Sequence, residues 1–422
     1  MEIAAVEINA GDVAWVLVSA ALVLFMTPGL ALFYGGMVRA KNILGMLAQN
    51  VICMGTVTVV WVLFGASLAF GKDLGGGLLG DLSLAGLGHV KDVPGVALSI
   101  PPLLFLGYQM MFAVITPALI TGATADRLKF SGWVVFSTLW SVLVYLPVAH
   151  WVFSPEGWLY KLGALDFAGG TVVHINAGVA ALAVVLVIGK RKGWPREAMP
   201  PHSLPLTLLG TGILWFGWFG FNAGSALAAN GLAVSAFMNT HVAAAAGMCG
   251  WLVLERAKDG HATTLGAASG AVAGLVAITP CAGFVTPLSA LLIGAAAGAL
   301  CLAAIGLKHR LGYDDALDVV GVHLVGGLFG SIVLGLFADA AVNPAGADGL
   351  FHGGGLDLLG KQLVASGATL AFSFVVTFAL ATAVEKTIGL RVSDDDEAIG
   401  LDQTQHAESG YNLSGLSSMG RS

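Results

Sequence analysis

Charged residues are scarce in this sequence. Of its 422 residues, 19 are Lys or Arg and 25 are Asp or Glu, whereas 57% are hydrophobic. Soluble proteins carry about 25% charged residues, so a chain with 10% cannot cover its surface with solvated groups. Together with a mean hydropathy of +0.85, this composition predicts a multi-span membrane protein. The sequence also has no dense basic patch, and nucleic acid is therefore not expected as a partner.

Cysteine is also rare, and its placement excludes two kinds of structure. The four cysteines, Cys53, Cys249, Cys281 and Cys301, lie singly in apolar runs, with no close pair and no CxxC motif. This pattern predicts small core residues rather than a zinc site or disulfides. HExxH and Walker motifs are absent from the sequence too. We therefore expect neither an enzyme nor an ATP-driven pump, and no metal or other cofactor.

Long apolar runs, in contrast, are abundant. Eleven stretches approach or exceed the roughly 20 residues that a bilayer core requires. They lie near residues 12–37, 43–70, 99–124, 130–152, 167–189, 204–226, 232–254, 264–284, 287–307, 316–338 and 360–385. The sequence therefore predicts an all-α integral membrane domain over residues 1–385 and a separate tail over 386–422.

Glycine is about twice as frequent as in average proteins, at 59 residues. Several of these glycines recur at GxxxG spacing within the apolar runs, a spacing that lets helix backbones approach closely. The GxxxG steps are Gly266–Gly270–Gly274, Gly294–Gly298 and Gly326–Gly330. We expect tight helix packing there.

The few basic residues indicate how the chain crosses the membrane. With the N-terminus outside, fifteen of the 19 fall in inside loops or in the tail. The outside segments hold only Lys72, Lys91, Lys161 and Lys361. The positive-inside rule then predicts an outside N-terminus and a cytoplasmic C-terminus, in the cell's inner (plasma) membrane.

Eleven spans suggest an internal repeat. Two five-span units, about 12–189 and 204–338, would be inverted relative to each other, with an extra helix at about 360–385. A faint sequence echo accompanies this arrangement. Asp166 precedes His174 by eight residues at the fifth span, and Asp318 precedes His323 by five at the tenth.

Two histidines fall at membrane depth, where ionisable side chains are costly. Measured along a helix, His174 lies about 12 Å deeper than Asp166, and His323 about 10 Å from the opposite face. A lone buried histidine is more often a satisfied core group, but two at matched depth favour a transport pathway. Phe112 and Phe221 also lie inside spans, where packing in the core is the alternative to a functional role.

Four segments resemble one known family. They begin at Gln109 (QMMFAVITPALI), Ala164 (ALDFAGGTVVHIN), Gly217 (GWFGFNAGS) and Asp318 (DVVGVH). Their sequences and order resemble those of the ammonium transporter family, which includes methylammonium permeases and Rhesus proteins, and the resemblance extends over nearly the whole chain. It implies a homotrimer in which each protomer has its own pore and eleven helices in a five-plus-five inverted repeat.

The resemblance also implies roles for residues at the outer mouth. It assigns recruitment of ammonium, or its analogue methylammonium, to Phe112, Ser225 and Asp166. Bacterial members commonly carry a vestibule Trp after a His-x-Val sequence, where this chain has Phe153, so we expect Phe153 to complete the recruitment site. Trp158 is the second choice for that place. Tyr108 stands where a Phe is common.

By the same resemblance, Phe112 and Phe221 form a gate, and His174 and His323 line a hydrophobic pore. Elementary energetics agree with a step that removes a proton. Moving an ammonium-sized ion into a medium of low dielectric costs on the order of 20 kcal/mol, whereas an aromatic face returns about 0.5–2 kcal/mol. Ammonium can leave its proton behind and cross as ammonia, which potassium cannot do.

The tail over residues 386–422 is polar and acidic, and its simplest interpretation is a solvated segment. It also resembles the family's cytoplasmic regulatory segment, which cooperates with PII-type nitrogen regulatory proteins. We therefore predict a channel-like ammonium transporter that conducts ammonia, with or without a separately relayed proton. The alternative is an ammonium sensor that signals to a separate partner protein.

Overall fold

Long helices form almost the entire protein. The computed structural model describes residues 7–88 and 90–411. Within them, ten helices are long and apolar enough to cross a membrane. They are α1 (Ala10–Met37), α2 (Ala40–Phe70), α3 (Pro102–Ile120), α4 (Phe130–Leu162), α5 (Gly170–Ile188), α6 (Leu204–Ala226), α7 (Gly231–Asp259), α9 (Pro287–Leu311), α10 (Val320–Phe337) and α11 (Asp357–Thr387). Apart from helices and turns, the described residues form a few isolated β-bridges.

Each predicted span coincides with a helix, although one helix is short. The stretch predicted at 264–284 forms α8 (Thr264–Ile278) of 15 residues, followed by buried turns over 279–284. Residues 154–157 interrupt α4 with a turn. The expected all-helical membrane fold is therefore confirmed.

Side chains at the helix ends explain where several helices begin. Asn9, Asn230 and Thr286 each accept a hydrogen bond from a backbone N–H in the first turn of α1, α7 and α9 respectively. Such caps satisfy donors that have no partner within the helix. At its other end α7 stops at Gly260, whose φ of 81° is unfavourable for residues with a Cβ.

Glycines let α7, α8 and α9 pack with their backbones in contact. A Cβ on Gly274 or Gly294 would overlap the carbonyl of Ala243, and one on Gly298 would overlap the carbonyl of Gly247. The tight packing expected from the GxxxG spacing is present there. The expectation for cysteine holds for three of the four, because Cys249 is exposed on α7. A single Cys in an apolar run does not reveal which face of a helix it occupies.

Glycines also let α5 and α10 approach each other closely at the centre of the bundle. Both helices begin with a π-helical turn, Gly170–Ile175 and Val320–Leu324, and each turn contains one of the two predicted pore histidines. A Cβ on Gly178 would overlap the backbone of Leu324, and one on Gly327 would crowd the side chain of His174. These two glycines therefore allow the close crossing that sets the distance between the histidines.

The described part of the tail packs against the bundle. It forms α12 (Asp394–Ile399) and α13 (Leu401–His406), and Leu390 and Leu401 are buried. The backbone N–H of Leu401 donates to Asn42 Oδ1 at 2.8 Å, and the carboxylate of Asp402 accepts from the N–H of Gly45 at 2.9 Å. The interpretation as a solvated segment is thus wrong for residues 390–402, whereas residues 407–411 are exposed. Residues 412–422 lie outside the described residues.

Candidate functional site

A cavity of about 330 Å³ opens at one end of the bundle, which we call the vestibule face. Phe112, Phe153, Asp166 and Ser225, the four predicted recruitment residues, all line this cavity. Trp158, the second choice for the Phe153 position, instead packs edge-on against Trp151 with ring centroids 5.8 Å apart. The cavity combines aromatic faces, a hydroxyl and a carboxylate, which are groups that attract a small cation.

Two phenylalanines in contact form the floor of the vestibule. The ring centroids of Phe112 and Phe221 are 4.4 Å apart, with the planes tilted by 51°. Each side chain is almost completely buried. Phe112 lines the vestibule, and Phe221 lines a second, narrow cavity deeper in the bundle. The two rings therefore lie between the two spaces.

The two histidines meet in that deeper cavity. His174 Nδ1 lies 3.3 Å from His323 Nδ1, and the ring centroids are 5.3 Å apart. Since a hydrogen bond between these atoms needs one donor and one acceptor, one ring keeps a bare Nε2 and the other carries an Nε2–H. His174 Nε2 has no hydrogen-bond partner among the described residues. The pair can thus offer both a donor and an acceptor to a small polar molecule.

The space beside the histidines is small and apolar. The cavity measures about 10 Å³, which is the scale of one water-sized molecule. Trp218 stacks on His174 with centroids 5.6 Å apart, and its Nε1–H donates to Thr279 Oγ1 at 2.9 Å. A further cavity of about 10 Å³ continues past His323 to Asp318. No group of three His, Cys, Asp or Glu in the described part of the chain is arranged to hold a metal ion.

Carboxylates cap the two helices that carry the histidines. Asp166 accepts from the N–H groups of Gly169 and Gly170, both at 2.7 Å, and from Thr171 N at 2.8 Å. Its position next to the vestibule is therefore fixed by the start of α5.

At α10 the corresponding cap is Asp315, which accepts from Val319 N at 3.0 Å and Val320 N at 2.7 Å. Asp318, which the sequence comparison paired with Asp166, instead forms an ion pair with Lys308 at 2.6 Å. That pairing is wrong, because the caps precede their histidines by eight residues in both helices. The double acid Asp314–Asp315 offered the correct spacing.

A buried ionic cluster lies at the opposite end of the bundle, where the tail packs; we call this end the tail face. Arg191 donates two hydrogen bonds to Asp314, at 2.9 and 2.8 Å, and Arg127 Nη1 lies 3.7 Å from the same carboxylate. Burial alone would raise the pKa of Asp314, but the hydrogen bonds from Arg191 and the charge of Arg127 outweigh it and lower that pKa. Asp126 pairs with Arg39 at 3.0 Å beside this cluster.

Comparison with known proteins agrees with this geometry. The model of the Ammonium Transporter Family matches residues 14–411. An ammonium transporter of Bacillus subtilis is 51% identical and covers 95% of this chain and 98% of its own length. The crystal structure of Candida albicans Mep2 superimposes with a TM-score of 0.87 at 36% identity, covering 92% of this chain and 88% of its own. The chain belongs to the ammonium transporter family.

A further solved structure, titled a sensor Amt protein, matches with a TM-score of 0.85 at 29% identity and covers 94% of this chain and 98% of its own. The fold is therefore shared by proteins described as transporters and by one described as a sensor.

Sequence reasoning missed several residues that complete the site. Trp218 supports His174, and Gln109 and Tyr160 line the vestibule. Tyr108, which the sequence did single out, directs its hydroxyl at the carbonyls of α6 behind Ser225. An aromatic residue in a span is usually a core residue, so its type alone carried no signal. For Trp218, the GWFGF sequence did place it three residues before Phe221.

Proposed function

We propose that this protein is a channel-like ammonium transporter that recruits ammonium in the vestibule, removes its proton and passes ammonia along the histidine pair. The supporting observation is the order of spaces along one path. A polar, aromatic vestibule is followed by the Phe112–Phe221 pair and then by a small apolar cavity beside His174 and His323. The cavity beside the histidines is narrower than the vestibule and has no charged lining residue. Ammonium would have to give up its proton before entering it.

The chemistry of each space suits one step. Phe112, Phe153 and Ser225 offer ring faces and a hydroxyl oxygen to a donor-only cation, and the Asp166 carboxylate adds negative charge nearby. Desolvating the cation fully costs far more than ring faces return, so the ion stops there unless it gives up a proton. A neutral ammonia can then accept from one imidazole and donate to the other. The released proton passes to water in the open vestibule, and ammonia crosses with or without a separate relay of that proton.

The full count of eleven spans and their inverted repeat belong to the same proposal. Arg127 and Arg191, after α3 and α5, meet Asp314, which follows α9. Because Arg191 and Asp314 lie at the same face, an even number of membrane crossings must separate the loop after α5 from the loop after α9. The helices α6, α7 and α9 supply three crossings, so α8 with its following turns would be the fourth. The matched caps and π-helical turns of α5 and α10 support the repeat.

We further propose that the vestibule face is outside and the tail face is cytoplasmic, in a homotrimer. A reporter fused after Ser422 is expected to be cytoplasmic, because basic residues concentrate in loops that the rule places inside. An external reporter would mean that the count of crossings is wrong by one.

The decisive experiment replaces both pore histidines. His174→Leu/His323→Leu is expected to abolish ammonium uptake while ammonium still binds in the vestibule, because the apolar cavity then offers no hydrogen bond to ammonia. Uptake should be measured in cells without their own transporters, at matched amounts of protein in the membrane. His241→Leu is the matched control, since His241 lies exposed on α7. Full selective uptake by the double variant would contradict a transport role for the two histidines and show that they are structural.

A carboxylate in place of one histidine tests the selectivity step. His174→Glu would put a fixed negative charge in the narrow cavity and offset part of the cost of a bare cation. We expect potassium to compete with ammonium in this variant and not in the native protein. Unchanged discrimination against potassium would contradict selection by proton removal.

A second candidate function is an ammonium sensor, favoured by the structural match to a sensor Amt protein. A sensor would bind ammonium with little flux and signal through a partner at the tail face, where a PII-type regulator is also the proposed partner of a transporter. Growth on limiting ammonium of cells that lack their own transporters separates the two. Restored growth supports transport, whereas no growth with ammonium-dependent partner binding supports sensing.

A further inference from the structure

We infer that Tyr108 is a positioning residue that fixes the hydroxyl of Ser225 as a hydrogen-bond acceptor facing the vestibule. The inference rests on the proposed recruitment of ammonium at Ser225. Tyr108 lies on α3, one turn before Phe112, and is completely buried. Its ring meets Phe112 edge-on, with centroids 5.0 Å apart. The phenol therefore sits behind the recruitment surface rather than on it.

The hydroxyl of Tyr108 reaches the end of α6. Tyr108 Oη lies 2.8 Å from the carbonyl oxygen of Gly220 and 2.9 Å from that of Phe221. It also lies 3.1 Å from Ser225 Oγ. A Cβ on Gly224 would be 2.8 Å from the same phenol oxygen, so the glycine leaves room for this contact.

The number of hydrogens limits the directions of these bonds, although either oxygen can donate in the contact between Tyr108 and Ser225. A hydroxyl carries a single hydrogen, and the two carbonyls are the nearest acceptors for that of Tyr108. Ser225 Oγ donates to the carbonyl of Phe221 at 2.9 Å, with Tyr108 Oη as its other neighbour. Whether Ser225 Oγ donates to the carbonyl of Phe221 or to Tyr108 Oη, its hydrogen points into the protein. The lone pairs of Ser225 are then directed at the cavity that Ser225 lines.

This orientation matters because ammonium has N–H donors and no acceptor. A serine free to rotate would present its own hydrogen to the cavity part of the time, and that state favours water over ammonium. Tyr108 stabilises the acceptor orientation by holding the carbonyls of Gly220 and Phe221 and by standing beside Ser225 Oγ. A phenylalanine at position 108 would keep the ring packing but would lack the hydroxyl that favours the acceptor orientation of Ser225.

The test is Tyr108→Phe, alone and combined with Ser225→Ala, in cells without their own transporters. We expect the half-saturation concentration for methylammonium to rise about three- to tenfold in Tyr108→Phe, the factor that one lost neutral hydrogen bond produces. The maximal rate should stay within about twofold, since the pore is untouched. In the Ser225→Ala background, Tyr108→Phe should cause no further rise, because it acts through Ser225. Tyr145→Phe, a buried tyrosine on α4, is the matched control and should change neither parameter.

Each other outcome overturns a defined part of the argument. If Ser225→Ala raises the half-saturation concentration but Tyr108→Phe does not, the role of Tyr108 is wrong and the proposed recruitment stands. If the two effects multiply in the double variant, Tyr108 does not act through Ser225. If Ser225→Ala itself changes nothing, recruitment at Ser225 is wrong and the role of Tyr108 falls with it. A maximal rate that falls in parallel with the amount of folded protein would show a merely structural tyrosine.

Discussion

The two faces of the bundle handle charge in opposite ways. At the vestibule face, Asp166 is held by backbone N–H groups and borders an open cavity. At the tail face, Asp314 is buried against Arg191 and Arg127. One carboxylate is satisfied by neutral donors and keeps its negative charge available to a cation. The other is neutralised by fixed guanidinium groups.

Under the proposed function, Asp166 attracts the substrate, whereas Asp314 stabilises the fold. Backbone donors satisfy the lone pairs of Asp166 without cancelling its charge, so its field extends into the vestibule. Guanidinium groups cancel the charge of Asp314 locally and tie together the loops after α3, α5 and α9. Loss of charge should therefore affect binding at one face and stability at the other.

The largest expected effect is on stability at the tail face. Asp314→Asn leaves buried Arg127 without this carboxylate and Arg191 with only Asp126, at 3.6 Å, which should destabilise the protein by about 3–5 kcal/mol. Thermal unfolding of the purified protein in detergent measures this loss. Asp357→Asn is the matched control, because Asp357 forms an exposed pair with Lys361 and should cost about 1 kcal/mol or less. Equal losses in the two variants would contradict a stabilising cluster.

The next effect concerns substrate recruitment. Asp166→Asn keeps one acceptor oxygen for the cap and removes the charge, so the half-saturation concentration for ammonium should rise about tenfold, equivalent to 1.4 kcal/mol of lost attraction. Asp315→Asn is the matched control, because it removes the charge from the cap of α10, which lies away from the vestibule. It should lower the amount of folded protein without raising the half-saturation concentration. Uptake as a function of concentration tests both. A similar rise in the two variants would show that capping, and not charge, governs recruitment.

The smallest effect is expected from the tail. Glu397 is buried, accepts from Lys192 N at 2.8 Å and pairs with Arg391 at 2.9 Å. Removing residues from Asp394 onward should leave a folded transporter. Its transport, or its response to a PII-type protein, should change about two- to fivefold, the factor that 0.5–1 kcal/mol of ion-pair energy produces. Removing only 412–422 keeps these contacts and is the control. Unchanged flux together with unchanged regulator binding would make the tail purely structural.

The sequence alone was sufficient for the membrane class, the helical fold and nearly every span, because a bilayer imposes one requirement on each run of about 20 apolar residues. Helix rise, which is a local property, also predicted that His174 and His323 reach a similar level of the bundle, and the two side chains do meet. The family's motifs located Phe112, Phe153, Asp166 and Ser225, which the fold collects around one cavity.

Tertiary structure decided which groups face each other. Asp315 rather than Asp318 caps α10, Tyr108 points at Ser225, and Asp314 neutralises two arginines from other loops. Asp314, Asp315 and Asp318 are the same residue type and lie within five positions, yet each has a different partner. For the cap of α10 the eight-residue spacing of Asp315 from His323 was a usable signal. For Tyr108 and Asp314 composition and spacing gave none, and only the packing of the helices determines their partners.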